Sequence, residues 1–141
     1  MVPDTPDVEA VIERIAPALG PRRLVIDMST IAPAGAKRIA ERLGETGTKF
    51  LDAPVSGGEP GAIEGTLTIM VDGGSEEFAR ARPLFEQLGK RITHMGPVGH
   101  GQMTKLVNQV PVAVNLEAKV EALLLATARA LEAIGAGAAA S

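Results

Sequence analysis

The residues best suited to chemistry lie in segment 99–109, which reads G-H-G-Q-M-T-K-L-V-N-Q. Lys105 and Asn108 are three residues apart, so on a helix they share one face, a turn from each other. A lysine ammonium donates protons, and an asparagine amide both donates and accepts hydrogen bonds. Such a pair can hold a carbonyl or hydroxyl group and move a proton at its oxygen. Glycines at 96, 99 and 101 let the backbone turn tightly and approach a bound group closely. The alternative use of a lysine at such a place is a solvated charge on an amphipathic helix.

The elements that must position this pair follow from hydrophobic periodicity. Val8, Val11, Ile12, Ile15 and Leu19 form one helical face, opened by Asp4 or Thr5 as cap and stopped at Gly20-Pro21. Met1-Val2-Pro3 reads as the tail of a strand. Segment 23–28 is a nearly continuous apolar strand of the kind buried in parallel sheets. A helix over 33–44 follows, with Ala36, Ile39, Ala40 and Leu43 inward, and then a strand over 49–53. The loop 54–61 leads to a strand over 67–71. Ser75 caps a helix to Leu88 that turns Phe78, Ala81, Leu84, Phe85 and Leu88 inward. A last strand spans 91–95, and from 102 to 134 the pattern is helical and strongly apolar. Strands alternating with helices predict an α/β fold with a largely parallel sheet, roughly half of a doubly wound domain.

Length and composition exclude several classes. A chain of 141 residues with 45% hydrophobic and 22% charged residues is globular and of one-domain size. A net charge of −3, no Trp or Tyr and three Phe leave neither a basic footprint nor stacking platforms for nucleic acid. Without cysteine there are no disulfides or thiolate sites, and two histidines are too few for an ordinary zinc site. No metal is therefore expected. No signal peptide and no apolar run of about 20 residues is visible, which predicts a cytoplasmic protein without a membrane partner.

A dinucleotide fold announces itself with G-x-G-x-x-G between a strand and a helix. Segment 56–61, S-G-G-E-P-G, and segment 99–104, G-H-G-Q-M-T, each miss one glycine, so the fingerprint is absent. Segment 52–58, D-A-P-V-S-G-G, lies at the carboxyl end of a strand, where open α/β sheets bind ligands. Its backbone N–H groups at Ser56, Gly57 and Gly58 can form a nest for a carboxylate, or can simply make a tight turn.

Taken together, D-M-S-T-I at 27–31, L-D-A-P-V-S-G-G at 51–58, G-A-I-E-G-T-L-T-I-M-V at 61–71 and G-x-G-x-x-x-K-x-x-N-Q at 99–109 resemble the β-hydroxyacid dehydrogenases. That family includes 3-hydroxyisobutyrate dehydrogenase and tartronate semialdehyde reductase (2-hydroxy-3-oxopropionate reductase), and the wording K-L-V-N-Q-V with S-G-G-E-P looks nearer to the latter. The resemblance implies an NAD- or NADP-dependent enzyme acting on a small hydroxyacid or semialdehyde. It implies Lys105 as catalytic acid/base, with Ser56, Gly57, Gly58 and Asn108 binding substrate and Val2, Pro3 and Thr30 lining the nicotinamide cofactor.

It also implies an organisation. Residues 1–97 correspond to the second half of a Rossmann-like NAD(P)-binding domain, and 98–134 to the long first helix of an all-helical domain. Residues 135–141 read as a flexible tail. The chain is expected to lack the family's phosphate loop and most of its helical domain, leaving its activity alone in question. The other reading is a non-catalytic remnant that folds and at most binds small carboxylates. In either case the uncovered apolar helix predicts a homo-oligomer or other self-association. Two departures from the family stand out. Pro111 inside the long helix costs about 3 kcal/mol unless the helix bends. Asp7 sets a carboxylate where the family often has a neutral side chain beside the cofactor.

Overall fold

The computed structural model describes residues 1–139, with the side chains of the last helix described through Ala130. It divides into two compact units, Met1–Leu106 and Val107–Ser141. Helix α1 (Thr5–Ile15) starts the first unit, followed by a single 3-10 turn (Ala16–Ala18), strand β1 (Leu24–Asp27), α2 (Pro33–Glu45) and β2 (Lys49–Asp52). Then come β3 (Val55–Ser56), α3 (Gly58–Ile63), β4 (Leu67–Gly73), α4 (Ser75–Leu88), β5 (Gly89–Gly96) and α5 (His100–Ala139).

The two full-length crossover helices give parallel pairs: β1 with β2 across α2, and β4 with β5 across α4. Between β2 and β4 the chain has only a two-residue strand and a six-residue helix. That is too little for a parallel crossover, so β4 runs antiparallel to both β2 and β3. The α/β class and the parallel-rich sheet are as the alternation predicts; the reversal of β4 is what the sequence pattern did not give.

Alternation along β2 separates the two halves of the core. Phe50 joins Val8, Ile12, Ile31, Ala36, Ile39 and Leu43 under α1 and α2. Leu51 joins Leu67, Ile69, Val71, Ala81 and Phe85 under α4. Burying such a side chain contributes about 1.5–3 kcal/mol relative to exposure.

Several local expectations are corrected. Met1–Pro3 forms no strand; the Val2 N–H donates instead to the Ser29 hydroxyl at 2.9 Å. Asp4 caps α1 in a reciprocal capping box with Asp7, whose carboxylate receives the Asp4 N–H at 3.2 Å. Asp7 thus has a structural use in helix initiation. Ser75 is not a cap: Gly74 precedes α4 and no side chain bonds its first turn, although Glu76 and Glu77 stand there as read. Val11, Ile15 and Leu84 are exposed by 40%, 38% and 48%, so their faces reach beyond the core edge. Helix α5 runs through Pro111 as one element and past Ile134 to Ala139. Of the predicted tail, Ala140 and Ser141 lie outside the described residues.

Candidate active site

The site is built where three strands end. Leu24-Val25-Ile26 leads into Asp27, Phe50-Leu51 into Asp52, and Met70-Val71 into Asp72. In the sheet register Asp27 faces Asp52, and Asp52 faces Asp72. Because β4 runs against β2, their carboxyl ends approach from opposite directions and meet at this row. All three aspartates are buried, Asp52 and Asp72 completely.

The first turn of α5 lands on the row. Gly101 N–H donates to Asp72 Oδ2 at 3.0 Å, and Gly99 and His100 N–H groups also favour the Asp72 carboxylate. Gly101 is required there. A Cβ at that position would stand 2.6 Å from the Met70 carbonyl oxygen and 2.9 Å from Asp72 Oδ1. The free N–H groups of this helix start therefore have their anion within the chain. Gln102, fully buried, extends the connection. Its Nε2 donates to the Ser29 carbonyl at 2.8 Å and to Asp52 Oδ1 at 2.7 Å. Its Oε1 accepts the Ile31 N–H at 3.1 Å.

One turn further, Lys105 is only 8% exposed. Burial lowers its pKa from the ordinary lysine value, which makes it readier to release a proton than a surface lysine. Burial likewise raises Asp72 and, helped by the neighbouring Asp72 charge, pushes Asp52 up to about 8.

Val2 and Thr30 come to the same place. Val2 is tied to Ser29, and Ser29 and Ile31, which flank Thr30, are both held by Gln102. Thr30 itself is exposed, as is Pro3. Beside them runs a groove of about 180 Å³ lined by Met1, Val2, Ile15, Val25 and Ser29, among others. Ser56, Gly57 and Gly58 lie elsewhere along the sheet: Ser56 pairs with Thr68, four residues down β4 from Asp72, about 13 Å at strand spacing. Gly57 and Gly58 have φ of 135° and 63°, the backbone a nest or a tight turn requires. Among the described residues no hydrogen bond joins them to α5. Asn108 falls in the second unit. No cluster of His, Asp and Glu among the described residues is arranged to hold a metal ion, and no helix there is long and apolar enough to cross a membrane.

Reading the sequence for chemistry missed Ser29, Gln102 and the aspartates 27, 52 and 72. A signal was present: V-I-D, F-L-D and M-V-D each lie within one residue of the carboxyl end of a predicted strand. What the pattern lacks is the register that sets them side by side.

The parallel-rich sheet with helices on both faces and its site at strand ends define a nucleotide-binding type of α/β domain. Residues 1–96 match the family described as the NAD binding domain of 6-phosphogluconate dehydrogenase. The chain belongs to this family. Over 130 residues it is 52% identical to the 2-hydroxy-3-oxopropionate reductase of Escherichia coli, covering 90% of this chain and 44% of that protein. Over 109 residues it is 45% identical to the 3-hydroxyisobutyrate dehydrogenase of Pseudomonas aeruginosa, covering 77% of this chain and 37% of the other. The solved structure of Mycobacterium tuberculosis 3-hydroxyisobutyrate dehydrogenase with L-serine superposes with a TM-score of 0.80 at 38% identity, over 89% of this chain and 43% of that one. The chain thus spans less than half the length of each of these relatives.

Proposed function

We propose that this chain supplies the acid/base part of an NAD(P)-dependent oxidoreductase of small β-hydroxyacids, one that reduces tartronate semialdehyde or oxidises 3-hydroxyisobutyrate. The observation that carries this reading is Lys105, buried one turn past Gln102 on α5 with its pKa lowered. In the reducing direction its ammonium gives a proton to the carbonyl oxygen as negative charge develops there; in the oxidising direction the amine takes the hydroxyl proton. The nicotinamide, when bound, supplies or accepts the hydride. Ser56, Gly57 and Gly58 receive the substrate carboxylate, and Asn108 orients the substrate beside Lys105.

Val2, which lines the groove, and the exposed Pro3 and Thr30, next to it in the chain and in the loop after β1, would hold the nicotinamide end of that cofactor. The residues present do not fit its pyrophosphate. The glycine-rich start of α5 is turned to Asp72, a carboxylate where a phosphate would have to sit. In this reading residues 1–97 act as the second half of the NAD(P)-binding domain and 98–134 as the first helix of a helical domain.

The test is a titration of the 141-residue chain with NADH and NADPH, followed by nicotinamide fluorescence, which the absence of Trp and Tyr leaves on a dark background. Saturable binding at micromolar cofactor supports a cofactor site in this chain, and any tartronate semialdehyde turnover should then fall roughly 10²–10⁴-fold in Lys105→Ala. No binding up to millimolar cofactor overturns the assignment of a cofactor site to this chain.

A further inference from the structure

We propose that Gln102 is the positioning residue for Lys105, held in place by a carboxyl pair, Asp52 and Asp72, that shares one proton. The proposal rests on the reading of Lys105 as the acid/base, and nothing in that reading uses Gln102 or the two aspartates.

The geometry sets up the shared proton. Asp52 and Asp72 are facing partners on antiparallel strands, and neither is exposed. Two ionised carboxylates so placed repel each other in a medium that screens poorly. Each also has one oxygen without a protein partner, Asp52 Oδ2 and Asp72 Oδ1. Their other oxygens are committed. Asp72 Oδ2 accepts the Gly101 N–H, and Asp52 Oδ1 accepts the Gln102 amide. A single proton on Asp52 Oδ2, directed at Asp72 Oδ1, satisfies both orphan atoms and removes one of the two charges. The helix start favours leaving the remaining charge on Asp72, because its N–H groups donate there. The charged group that faces the pair is Asp27 on β1, and the His100 N–H on α5 also favours the Asp72 carboxylate. His94 on β5 has its Nε2 2.9 Å from the carbonyl oxygen of Gly73, next to Asp72.

Gln102 transmits this arrangement. Both acceptors near its Nε2 and the single donor near its Oε1 fix which way the amide points. With the amide pinned to β2 and to the loop after β1, the helix cannot rotate about its axis. Lys105, three residues on and on the same face, is thereby kept in its buried position.

The experiment follows the Lys105 ε-methylene by NMR against pH in the full 141-residue chain, assigned with Lys105→Arg. In wild type and in Asp52→Asn it should titrate at the same lowered pH, because the asparagine oxygen accepts from Gln102 and its Nδ2 donates to Asp72 in the proton's place. In Gln102→Met, similar in size but without the amide, it should move up by about 0.5 or more, toward the ordinary lysine value of about 10.4. An unmoved Lys105 in folded Gln102→Met overturns the positioning role, as does an Asp52→Asn shift as large as that of Gln102→Met. Should Gln102→Met not fold, Asp52→Leu removes the same hydrogen bond from the other side and carries the same expectation. The shared proton is tested without any variant. Carbon-13 spectra of aspartate-labelled wild type at pH 6 should contain one neutral buried carboxyl, and ionised signals for both Asp52 and Asp72 overturn it. None of these readouts requires cofactor or turnover, so their failure is distinct from failure of the proposed function.

Discussion

The Ile31 N–H donates to Gln102 Oε1 at 3.1 Å, joining the loop after β1 to the first turn of α5 across 71 residues of sequence. With the Ser29 carbonyl 2.8 Å from Nε2 of the same amide, one side chain closes two backbone groups that no strand or helix ladder reaches.

Removing that side chain should therefore be expensive. Gln102→Ala leaves the Ile31 N–H, the Ser29 carbonyl and Asp52 Oδ1 without their partner, and each unmet buried group costs about 1–3 kcal/mol. Such effects do not add fully within a network, so a loss of about 2–4 kcal/mol is expected. Urea unfolding followed by circular dichroism measures it. A loss below about 1 kcal/mol would mean that water replaces the amide at no great cost.

Stability should also depend on pH through Asp52. An unfolded aspartate ionises near pH 3.9, whereas burial and the Asp72 charge push Asp52 up to about 8 in the folded chain. Between those values the folded state keeps a proton that the unfolded state has released. The stability that Asp52 contributes is thus fully present below about pH 4 and falls as pH rises, the loss being complete above about 8. Lys105 has the opposite sign: its lowered pKa makes stability recover as pH rises from its folded value to that of an unfolded lysine. Unfolding midpoints measured from pH 4 to 9 should decline in wild type and decline less in Asp52→Asn, where Asp72, also raised by burial, is the acid that remains. Parallel declines in both proteins would place the titrating group elsewhere.

Two glycines should respond to alanine with opposite signs. At Gly101 the new Cβ meets the Met70 carbonyl oxygen at 2.6 Å and Asp72 Oδ1 at 2.9 Å, so α5 must lift off the strand ends. At Gly44, inside α2, it meets nothing within 4 Å. Gly44→Ala should stabilise the chain by about 0.5–1 kcal/mol through helix propensity and a less free unfolded state. Gly101→Ala should destabilise it by about 1–3 kcal/mol, as overpacking does. Thermal melts of the two variants against wild type decide the matter, and equal behaviour would contradict the close approach at α5.

Period and composition were enough to place the helices and most of the sheet, because apolar residues recur at 3.6 in α2 and α4 and run together in β1. The direction of β4 was not legible, since a two-residue strand and a six-residue helix leave no periodic trace. The glycine-rich lead-in and the spacing to Asn108 single out Lys105 but fit a solvated surface lysine equally, and its burial is what the structure adds. The aspartate row was not legible, although each Asp is plain in the sequence, because facing positions are decided by strand register, and register is a property of the assembled sheet. Gln102 was hidden for a related reason. Nothing local distinguishes a glutamine that binds three distant backbone and side-chain groups from one in solvent.

The second unit makes the last prediction. Val107, Val110, Val114, Leu116, Leu123, Leu124 and Leu125 of α5 are each exposed by 59% or more. They lie all round the helix, so no single rotation hides them, and an apolar surface of that kind drives association in water. The chain should self-associate, with an apparent mass by light scattering of at least twice 14.6 kDa at micromolar concentration. Replacing Leu123, Leu124 and Leu125 together by glutamine, a helix former of similar reach, should lower that mass while the far-ultraviolet helix signal is kept. If wild type scatters as a monodisperse monomer, α5 is solvated as it stands and the association reading fails. If the triple variant associates as strongly as wild type, the contact uses another surface, and the open groove beside Val2 and Val25 is the next to alter.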